Sequence, residues 1–239
     1  MESKANKKYA SDNAVHKKIM FDIINDIFDS SIKSALWFKW WTLCFFMYGL
    51  DRFSVDLDFD VIKDISLDAI KKEVKNILIP YGKIQEETNT KIILKYDEHQ
   101  TPLKIEFNQR VQKHDTYEVV NFFGKPIVAM TKDCIVTNKL VALTQRHEEK
   151  EKLASRDLYD IYFFLKNNFP INQELLKERT GKDTKHYFTD LLKFIPSHFT
   201  SENVLRWLWE LVDEKQKYWI KNKLIQEVTA LISFTLWNS

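Results

Sequence analysis

The stretch Arg52-Phe53-Ser54-Val55-Asp56-Leu57-Asp58-Phe59-Asp60 decides the fold class of the first half of this chain. Apolar and acidic residues alternate along it, and a period of two predicts a β-strand. One face of that strand is apolar, and the other carries three carboxylates in a row. Because like charges at this spacing repel one another, and because hard divalent cations take oxygen ligands, the row is a candidate metal site. A solvated acidic strand edge is the alternative that the pattern alone leaves open.

Asp56 and Asp58 point to the same face of the predicted strand, about 7 Å apart along it. Two carboxylates so placed hold one or two Mg²⁺ ions, which substrate phosphates typically complete. Such sites recruit a third carboxylate from a neighbouring strand. Glu106 fits, because in Leu103-Lys104-Ile105-Glu106-Phe107 the residues Ile105 and Phe107 would face the core, and Lys104 and Glu106 would face the site. The expected metal ligands and catalytic acids are therefore Asp56, Asp58 and Glu106.

Size and composition allow one large domain or two small ones. Hydrophobic residues make up 44% of the 239 residues, enough for a packed core, and the net charge of +2 excludes a strongly basic nucleic-acid coat protein. Cys44 and Cys134 are expected to be buried free thiols. Residues 1–8 lack the apolar stretch of a signal peptide, and the apolar run 35–50 is shorter than a membrane-spanning helix. We therefore expect a cytoplasmic protein with no membrane segment.

Strands and helices mix in the first half of the chain, and helices run alone in the second half. The predicted strands are 35–38, 55–61, 83–87, 90–96, 103–108 and 117–123, and the predicted helices are 14–28, 42–48, 66–78, 132–146, 155–167, 173–179, 184–194 and 201–236, the last broken in two. This pattern predicts an α+β (mixed α/β) fold. Its first domain, 1–130, is a mixed sheet with flanking helices, and its second, 131–239, is a C-terminal helical bundle.

Four motifs resemble those of the AbiEii-type toxins of the nucleotidyltransferase superfamily. The family pattern is a Gly-Gly-Thr turn that opens a helix, followed by Arg-x-Ser-x-Asp-x-Asp-Phe. Phe38-Lys39-Trp40-Trp41-Thr42-Leu43 and the stretch from Tyr48 to Phe59 resemble these two motifs. Lys139 falls where the family has a helical lysine, and Arg156-Asp157-Leu158-Tyr159-Asp160 is similar to its Arg-Asp-x-x-Asp segment. The resemblance covers about residues 33–165 and implies a nucleotidyltransferase-like fold.

The resemblance also implies a reaction, namely transfer of a nucleoside monophosphate from a nucleoside triphosphate (NTP) to an acceptor, with release of pyrophosphate. Family members are toxins of toxin–antitoxin or abortive-infection (phage defence) systems, and some related toxins modify tRNA ends. An antitoxin and tRNA are therefore the expected partners, and Mg²⁺ is the expected cofactor. Asp56, Asp58 and Glu106 would hold the metal, with Glu106 as the base. The implied nucleotide-binding residues are Trp40, Trp41, Thr42, Arg52, Ser54 and Lys139, and the implied catalytic acids of the last motif are Asp157 and Asp160.

Several of these implied roles have alternatives in which the residue has only a structural or surface role. Lys139 is equally well an exposed helix lysine, and Arg156 with Asp160 has the spacing of a surface ion pair on a helix. Arg52 and Ser54 either reach phosphate or orient the acidic strand.

The chain departs from the family pattern at its glycines, where it has Trp40 and Trp41. Two indoles there fill the space meant for phosphate, so a catalytically dead homologue is one interpretation. The composition suggests another. The chain has 4 glycines and 7 tryptophans, whereas average usage predicts about 17 glycines. Some genetic codes read UGA as glycine and others read it as tryptophan. We hypothesise that Trp40 and Trp41 are mistranslated glycines, a hypothesis that extends to the remaining tryptophans at 37, 207, 209, 219 and 237.

Three functions therefore remain open at this point. The first is a metal-dependent nucleotidyltransferase. The second is a non-catalytic binding protein with the same fold. The third is a nuclease, which uses similar acids and metal without a triphosphate.

Overall fold

The computed structural model describes residues 4–61, 65–98, 101–150, 153 and 155–237, and these form two compact units. The described residues of the first unit fall within Met1–Gly49, Phe53–Val111 and Tyr117–Met130. Those of the second unit fall within Leu50–Arg52, Gln112–Thr116 and Thr131–Ser239. The organisation into two domains divided at residue 130 stays a prediction, and the second unit also contains two short segments from the first 130 residues.

The first unit contains three α-helices, a short 3₁₀ helix and seven strands among its described residues. The helices are α1 (Lys4–Asp29), α2 (Trp40–Met47) and α3 (Leu67–Leu78), and the 3₁₀ helix is Lys33–Ala35. The strands are β1 (Leu36–Lys39), β2 (Asp56–Val61), β3 (Lys83–Glu87), β4 (Lys91–Lys95), β5 (Leu103–Asn108), β6 (Tyr117–Phe122) and β7 (Lys125–Met130). Every element predicted for this half is present, but α1 begins at Lys4 rather than at residue 14.

The strands form one mixed sheet in the order β3-β4-β5-β2-β1-β7-β6. The acidic strand β2 lies in the interior of the sheet, parallel to β5 on one side and antiparallel to β1 on the other. Leu57 and Phe59 on β2 are fully buried, as the alternating pattern predicts. The mixed sheet with its flanking helices confirms the predicted fold class.

Strand β7 is not among the strands predicted from the sequence, because Gly124, Lys125 and Pro126 are residue types typical of the loop after a strand. The structure shows instead a tight hairpin, with Phe122 paired to Lys125. Phe123 (φ 47°) and Gly124 (φ 95°) form its two-residue turn, and positive φ at both turn positions is typical of this hairpin type. β7 then pairs in parallel with β1 through Ala129 and Phe38. Pro126 is therefore accommodated near the start of β7, three residues before the position that pairs with β1.

The short helix α2 connects β1 to the loop that precedes the acidic strand. Its apolar residues Leu43 and Cys44 are fully buried, and it packs on β1 and β2. The helix ends just before Gly49, whose φ of 72° lies in the left-handed region. Glycine adopts that conformation without a steric penalty and ends many helices. The helix predicted over 42–48 is thus confirmed, and Gly49 explains why it ends there.

The described residues of the second unit are mainly helical, as predicted. Its helices are α4 (Lys132–Lys150), α5 (Ser155–Lys166), α6 (Gln173–Thr180), α7 (Thr184–His198), α8 (Ser201–Leu208) and α9 (Glu214–Trp237). The long terminal segment is broken into α8 and α9, also as predicted. Helices α5, α7 and α8 pack against α9, and α4 packs against α5 and α6. Fully buried residues such as Leu158, Phe188 and Leu224 form the core of this bundle.

Both cysteines, Cys44 and Cys134, are buried free thiols, which confirms the prediction made for them. Across the part of the chain that the structure describes, each helix is too short or too polar to cross a lipid bilayer.

Candidate active site

The three predicted acids lie together on one face of the sheet in the first unit. Along β5, Leu103, Ile105 and Phe107 are buried, so the intervening residues face the same side as the acids of β2. The parallel register pairs the polar residues of the two strands one to one: Asp56 with Lys104, Asp58 with Glu106, and Asp60 with Asn108. The structure therefore places Asp56, Asp58 and Glu106 as neighbours.

The surroundings of Asp58 disfavour the ionised form of its carboxyl group. Burial raises its pKa first, and the nearby charges of Glu106 and Asp56 raise it further, to about 8. The ammonium group of Lys39 opposes this shift only in part, and a hydrogen bond to Glu106 favours the protonated form. At neutral pH, Asp58 therefore holds a proton unless a cation arrives to neutralise the group.

Lys104 is the cation that the sheet itself supplies to these acids. Its Nζ lies 3.3 Å from Oδ2 of Asp56 and 3.1 Å from Oε1 of Glu106. One ammonium thus bridges carboxylates from two adjacent strands. The lysine side chain is 33% exposed, and that of Glu106 is 45% exposed, so the group is open to solvent on one side.

Asp60, the third acid of the strand, has a structural role instead. Its carboxylate is fully buried and accepts three hydrogen bonds: from Nζ of Lys39 at 2.6 Å, from Nδ2 of Asn108 at 2.6 Å, and from Oη of Tyr117 at 2.7 Å. These donors come from β1, β5 and β6. A buried carboxylate is stable when its charge is paired and its oxygens are hydrogen-bonded. Asp60 therefore fixes β2 within the sheet.

The turn from β1 into α2 places Trp40 in a conformation that suits glycine. Its φ is 67°, which L-residues with a side chain rarely adopt. The two indole rings of Trp40 and Trp41 lie 5.2 Å apart, and Nζ of Lys39 lies 5.0 Å from the Trp40 ring. Helix α2 begins at this turn, and the N–H groups of a first helical turn attract anions. Both tryptophans therefore lie at the helix N-terminus where the sequence predicts phosphate binding.

Thr42 and Ser54 connect α2 to the acidic strand. The hydroxyl of Thr42 donates to the backbone carbonyl of Asp56 and lies 2.9 Å from the hydroxyl of Ser54. Both residues are buried. Their hydroxyls thus hold the start of β2 against α2, and the predicted nucleotide contact of these two residues stays a prediction.

A second charged cluster lies inside the second unit. Arg52 forms a bidentate ion pair with Asp160, with Nε 2.5 Å from Oδ1 and Nη2 2.7 Å from Oδ2. Nζ of Lys139 lies 2.9 Å from the same carboxylate and also bonds Asp157, which pairs with Arg146 at 3.0 Å. Burial pushes the pKa of Asp160 up, but Arg52 and Lys139 outweigh it and hold the pKa below its usual range.

This cluster settles two alternatives that the sequence left open. Lys139 is 1% exposed, so it is not an ordinary surface lysine, and Asp160 pairs with Arg52 and Lys139 at the core of the cluster. The alternative of a surface ion pair between Arg156 and Asp160 is therefore wrong, because Asp160 is fully buried. The ammonium of Lys139 is occupied by two aspartates, so its predicted contact with triphosphate stays a prediction.

Within the described ranges, no group of three or more His, Cys, Asp or Glu side chains has an arrangement able to hold a metal ion as it stands. Asp56, Asp58 and Glu106 still fit a divalent cation by chemistry, because they offer hard oxygen donors and carry mutually repelling charges. Metal binding at these three residues remains a proposal.

A family model for the nucleotidyl transferase AbiEii toxin of type IV toxin–antitoxin systems matches residues 42–217, more than half of the chain. The chain belongs to the AbiEii family. The match begins at Thr42, directly after the two tryptophans. No protein of curated function matches the chain in sequence.

Solved structures share the fold of this AbiEii-family chain. JHP933 from Helicobacter pylori is 22% identical, with a TM-score of 0.59 over 95% of this chain and 92% of that one. A putative nucleotidyltransferase from H. pylori is 23% identical, with a TM-score of 0.59 over 94% of this chain and 95% of that one. An antigenic nucleotidyltransferase-like protein from Paracoccidioides brasiliensis is 13% identical, with a TM-score of 0.52 over 74% and 89%. The nucleotidyltransferase-like fold is therefore confirmed.

Sequence reasoning grouped the acids of the AbiEii-family chain and placed Lys104 on the same face as Glu106, but it did not identify the basic and polar partners of the acids. Lys104, Lys39, Asn108 and Tyr117 contact or neighbour the acidic strand, and none was predicted as a site residue. Lys39 gave one usable signal, because it is a lysine inside an otherwise apolar run. The contacts of Asn108 and Tyr117, and the pairing of Lys104 with Asp56, become visible only when the strand order is known.

Proposed function

We propose that this AbiEii-family protein transfers a nucleoside monophosphate from an NTP to an acceptor, with Mg²⁺ held by Asp56, Asp58 and Glu106. The observation that carries the proposal is the grouping of these three carboxylates on the paired strands β2 and β5. The raised pKa of Asp58, caused by burial and by its two acidic neighbours, supports it, because such crowding is relieved when a divalent cation binds.

The proposed transfer forms one P–O bond, breaks another and moves one proton. An oxygen of the acceptor attacks the α-phosphorus of the NTP, the bond to the bridging oxygen breaks, and pyrophosphate leaves. We assign the proton of the acceptor hydroxyl to the carboxylate of Glu106, whose side chain is more exposed than that of Asp56. Bound Mg²⁺ would neutralise charge on the attacking and leaving oxygens.

Nucleotide binding in the first unit is assigned to the turn before α2. For Arg52 and Lys139, which lie in the second unit, the phosphate contacts that the resemblance implies are a separate proposal. The first helical turn of α2 offers N–H groups to the triphosphate once the indoles are moved or replaced. Lys139 reaches phosphate by exchanging one of its aspartate partners, Asp157 or Asp160, for a phosphate oxygen. Arg52, held by Asp160, orients the segment that leads into β2, and Ser54 and Thr42 fix its end.

We also propose a biological setting. The acceptor is tRNA, the site of action is the cytoplasm, and the protein is the toxin of a toxin–antitoxin pair that acts in abortive infection by phage. Membership of the AbiEii toxin family supports the toxin role and a cognate antitoxin. The acceptor and the link to phage defence rest on the resemblance alone.

The test is incorporation of label from each of the four α-³²P-labelled NTPs into total tRNA in the presence of Mg²⁺. We expect one NTP to label RNA, EDTA to abolish labelling, and the double variant D56N/D58N to lose at least about a hundredfold in rate, equivalent to about 2.7 kcal/mol. The matched control is Asp97→Asn, an exposed aspartate of the same unit, which should retain the full rate.

A non-catalytic binding protein is the second candidate, and the position of Trp40 and Trp41 at the N-terminus of α2 favours it. Absence of labelling with all four NTPs, for both this chain and the double variant W40G/W41G, would establish that alternative. Cleavage of RNA without any triphosphate, seen as shortened bands on a gel, would identify a nuclease instead.

A further inference from the structure

Lys104 occupies a position among the three acids that a metal ion would also require. Its ammonium lies between Asp56 of β2 and Glu106 of its own strand, 3.3 Å and 3.1 Å from one oxygen of each. Both distances are within ion-pair range. An ammonium and a divalent cation compete for the same carboxylate oxygens, so the two cannot both be bound there at full strength.

The neighbouring lysines Lys39 and Lys91 form their ion pairs with acids other than Asp56 and Glu106. On β1, Lys39 donates to the buried Asp60 at 2.6 Å. On β4, Lys91 pairs in register with Glu106, but its Nζ lies 2.8 Å from Glu86. Lys104 differs from these two lysines because the parallel register of β5 with β2 places it beside Asp56.

We propose that Lys104 is a placeholder cation, which holds Asp56 and Glu106 together in the metal-free protein and is displaced by an incoming divalent ion onto the triphosphate of the nucleotide. This inference rests on the proposed function. Lys104 is one-third exposed and ends in a flexible four-carbon chain, so its ammonium moves several ångströms without a change in the backbone. No bond is made or broken in the exchange.

The first test is binding of Mn²⁺ alone to the full chain, followed by electron paramagnetic resonance, for the wild type and Lys104→Gln. Removal of the competing ammonium should tighten Mn²⁺ binding about three- to tenfold, the size expected for the loss of two partly exposed ion pairs. Lys104→Arg retains the charge and should bind Mn²⁺ within about twofold of the wild type. Lys91→Gln is the matched control on the adjacent strand, and it should leave Mn²⁺ affinity unchanged.

The second test measures binding of a non-hydrolysable NTP at saturating Mn²⁺. In this test the wild type should bind more tightly than Lys104→Gln. The variant should bind the analogue about tenfold more weakly, because it has no ammonium group to contact the phosphate. Lys104→Arg should preserve this binding.

The possible outcomes distinguish failure of the proposed metal site from failure of the proposed role of Lys104. Failure of the wild type to bind Mn²⁺ at all would overturn the proposed metal site itself. If the wild type binds Mn²⁺ and Lys104→Gln binds it equally or more weakly while retaining the wild-type circular dichroism spectrum, the placeholder role is wrong and the proposed function stands. Tighter Mn²⁺ binding with unchanged nucleotide affinity would overturn the transfer of Lys104 to the triphosphate.

Discussion

Replacement of Trp40 separates the strain of its backbone from the contacts of its ring. Its φ of 67° lies in the left-handed region, which costs a residue with a side chain about 1–2 kcal/mol. Alanine and glycine variants both lack the indole, so the difference between them reports the backbone. Glycine escapes the strain but loses about 0.5–1 kcal/mol more chain entropy on folding. We expect W40G to be more stable than W40A by about 1 kcal/mol.

Trp37 provides the matched control for this comparison. It lies in the interior of β1, with its ring 4.3 Å from that of Tyr117, and strand backbone favours alanine over glycine. The order should therefore reverse, with W37G less stable than W37A by about 0.5–1 kcal/mol. Urea denaturation of all four variants in EDTA at pH 7 measures both differences. Equal or lower stability of W40G relative to W40A would show that position 40 does not require a glycine-like conformation.

The remaining predictions concern ionisation, the buried ion pair and the identity of residues 40 and 41. The pKa of Asp58 is raised to about 8 in the folded protein, so its contribution to stability is full below its unfolded pKa and is lost as the pH rises through 8. In EDTA, the unfolding free energy should fall with pH at up to about 1.4 kcal/mol per unit, and Asp58→Asn should flatten that fall in urea titrations. Arg52→Ala should lower the unfolding free energy by up to about 3–5 kcal/mol, because it removes the bidentate partner of the buried Asp160 and leaves Lys139 shared between Asp160 and Asp157. By contrast, Lys182→Ala, which breaks a half-exposed pair, should cost less than about 1 kcal/mol, and similar losses in the two variants would contradict this. Peptide mass spectrometry of the protein from its own cell should find glycine at positions 40 and 41, and tryptophan masses at both would refute the recoding hypothesis.

The acidic strand shows why part of the site was predictable. Alternation of Leu57 and Phe59 with acids sets the strand and its faces, because side chains of a strand alternate by geometry alone. Glu106 was found by the same rule applied to a second strand. The two strands and their faces were predicted correctly because each strand alternates buried apolar residues with polar ones.

The partners of the acids were not predictable, because they depend on which strands are neighbours. Lys104 meets Asp56 only because β5 runs parallel to β2 in that register, and Tyr117 reaches Asp60 from the strand at the far edge of the sheet. Nothing local in the sequence fixes a strand order. The missed strand β7 has a local cause, since a glycine and a proline in one hairpin resemble the end of a strand.

The contrast between Asp60 and Asp58 is the strongest physical argument for a cation from outside the chain. The two residues lie two positions apart on β2, but the groups that surround their carboxyl groups have opposite effects. Asp60 is given three donors from three strands and is fully buried. Asp58 is placed against Glu106 and Asp56, which raise its pKa, and Lys104 supplies one positive charge to the group. The fold can therefore satisfy a carboxylate in this sheet, and stability alone gives no reason to crowd the other three. Such crowding has a physical rationale if the balancing positive charge arrives with a ligand, and the metal-bound triphosphate proposed above would supply it.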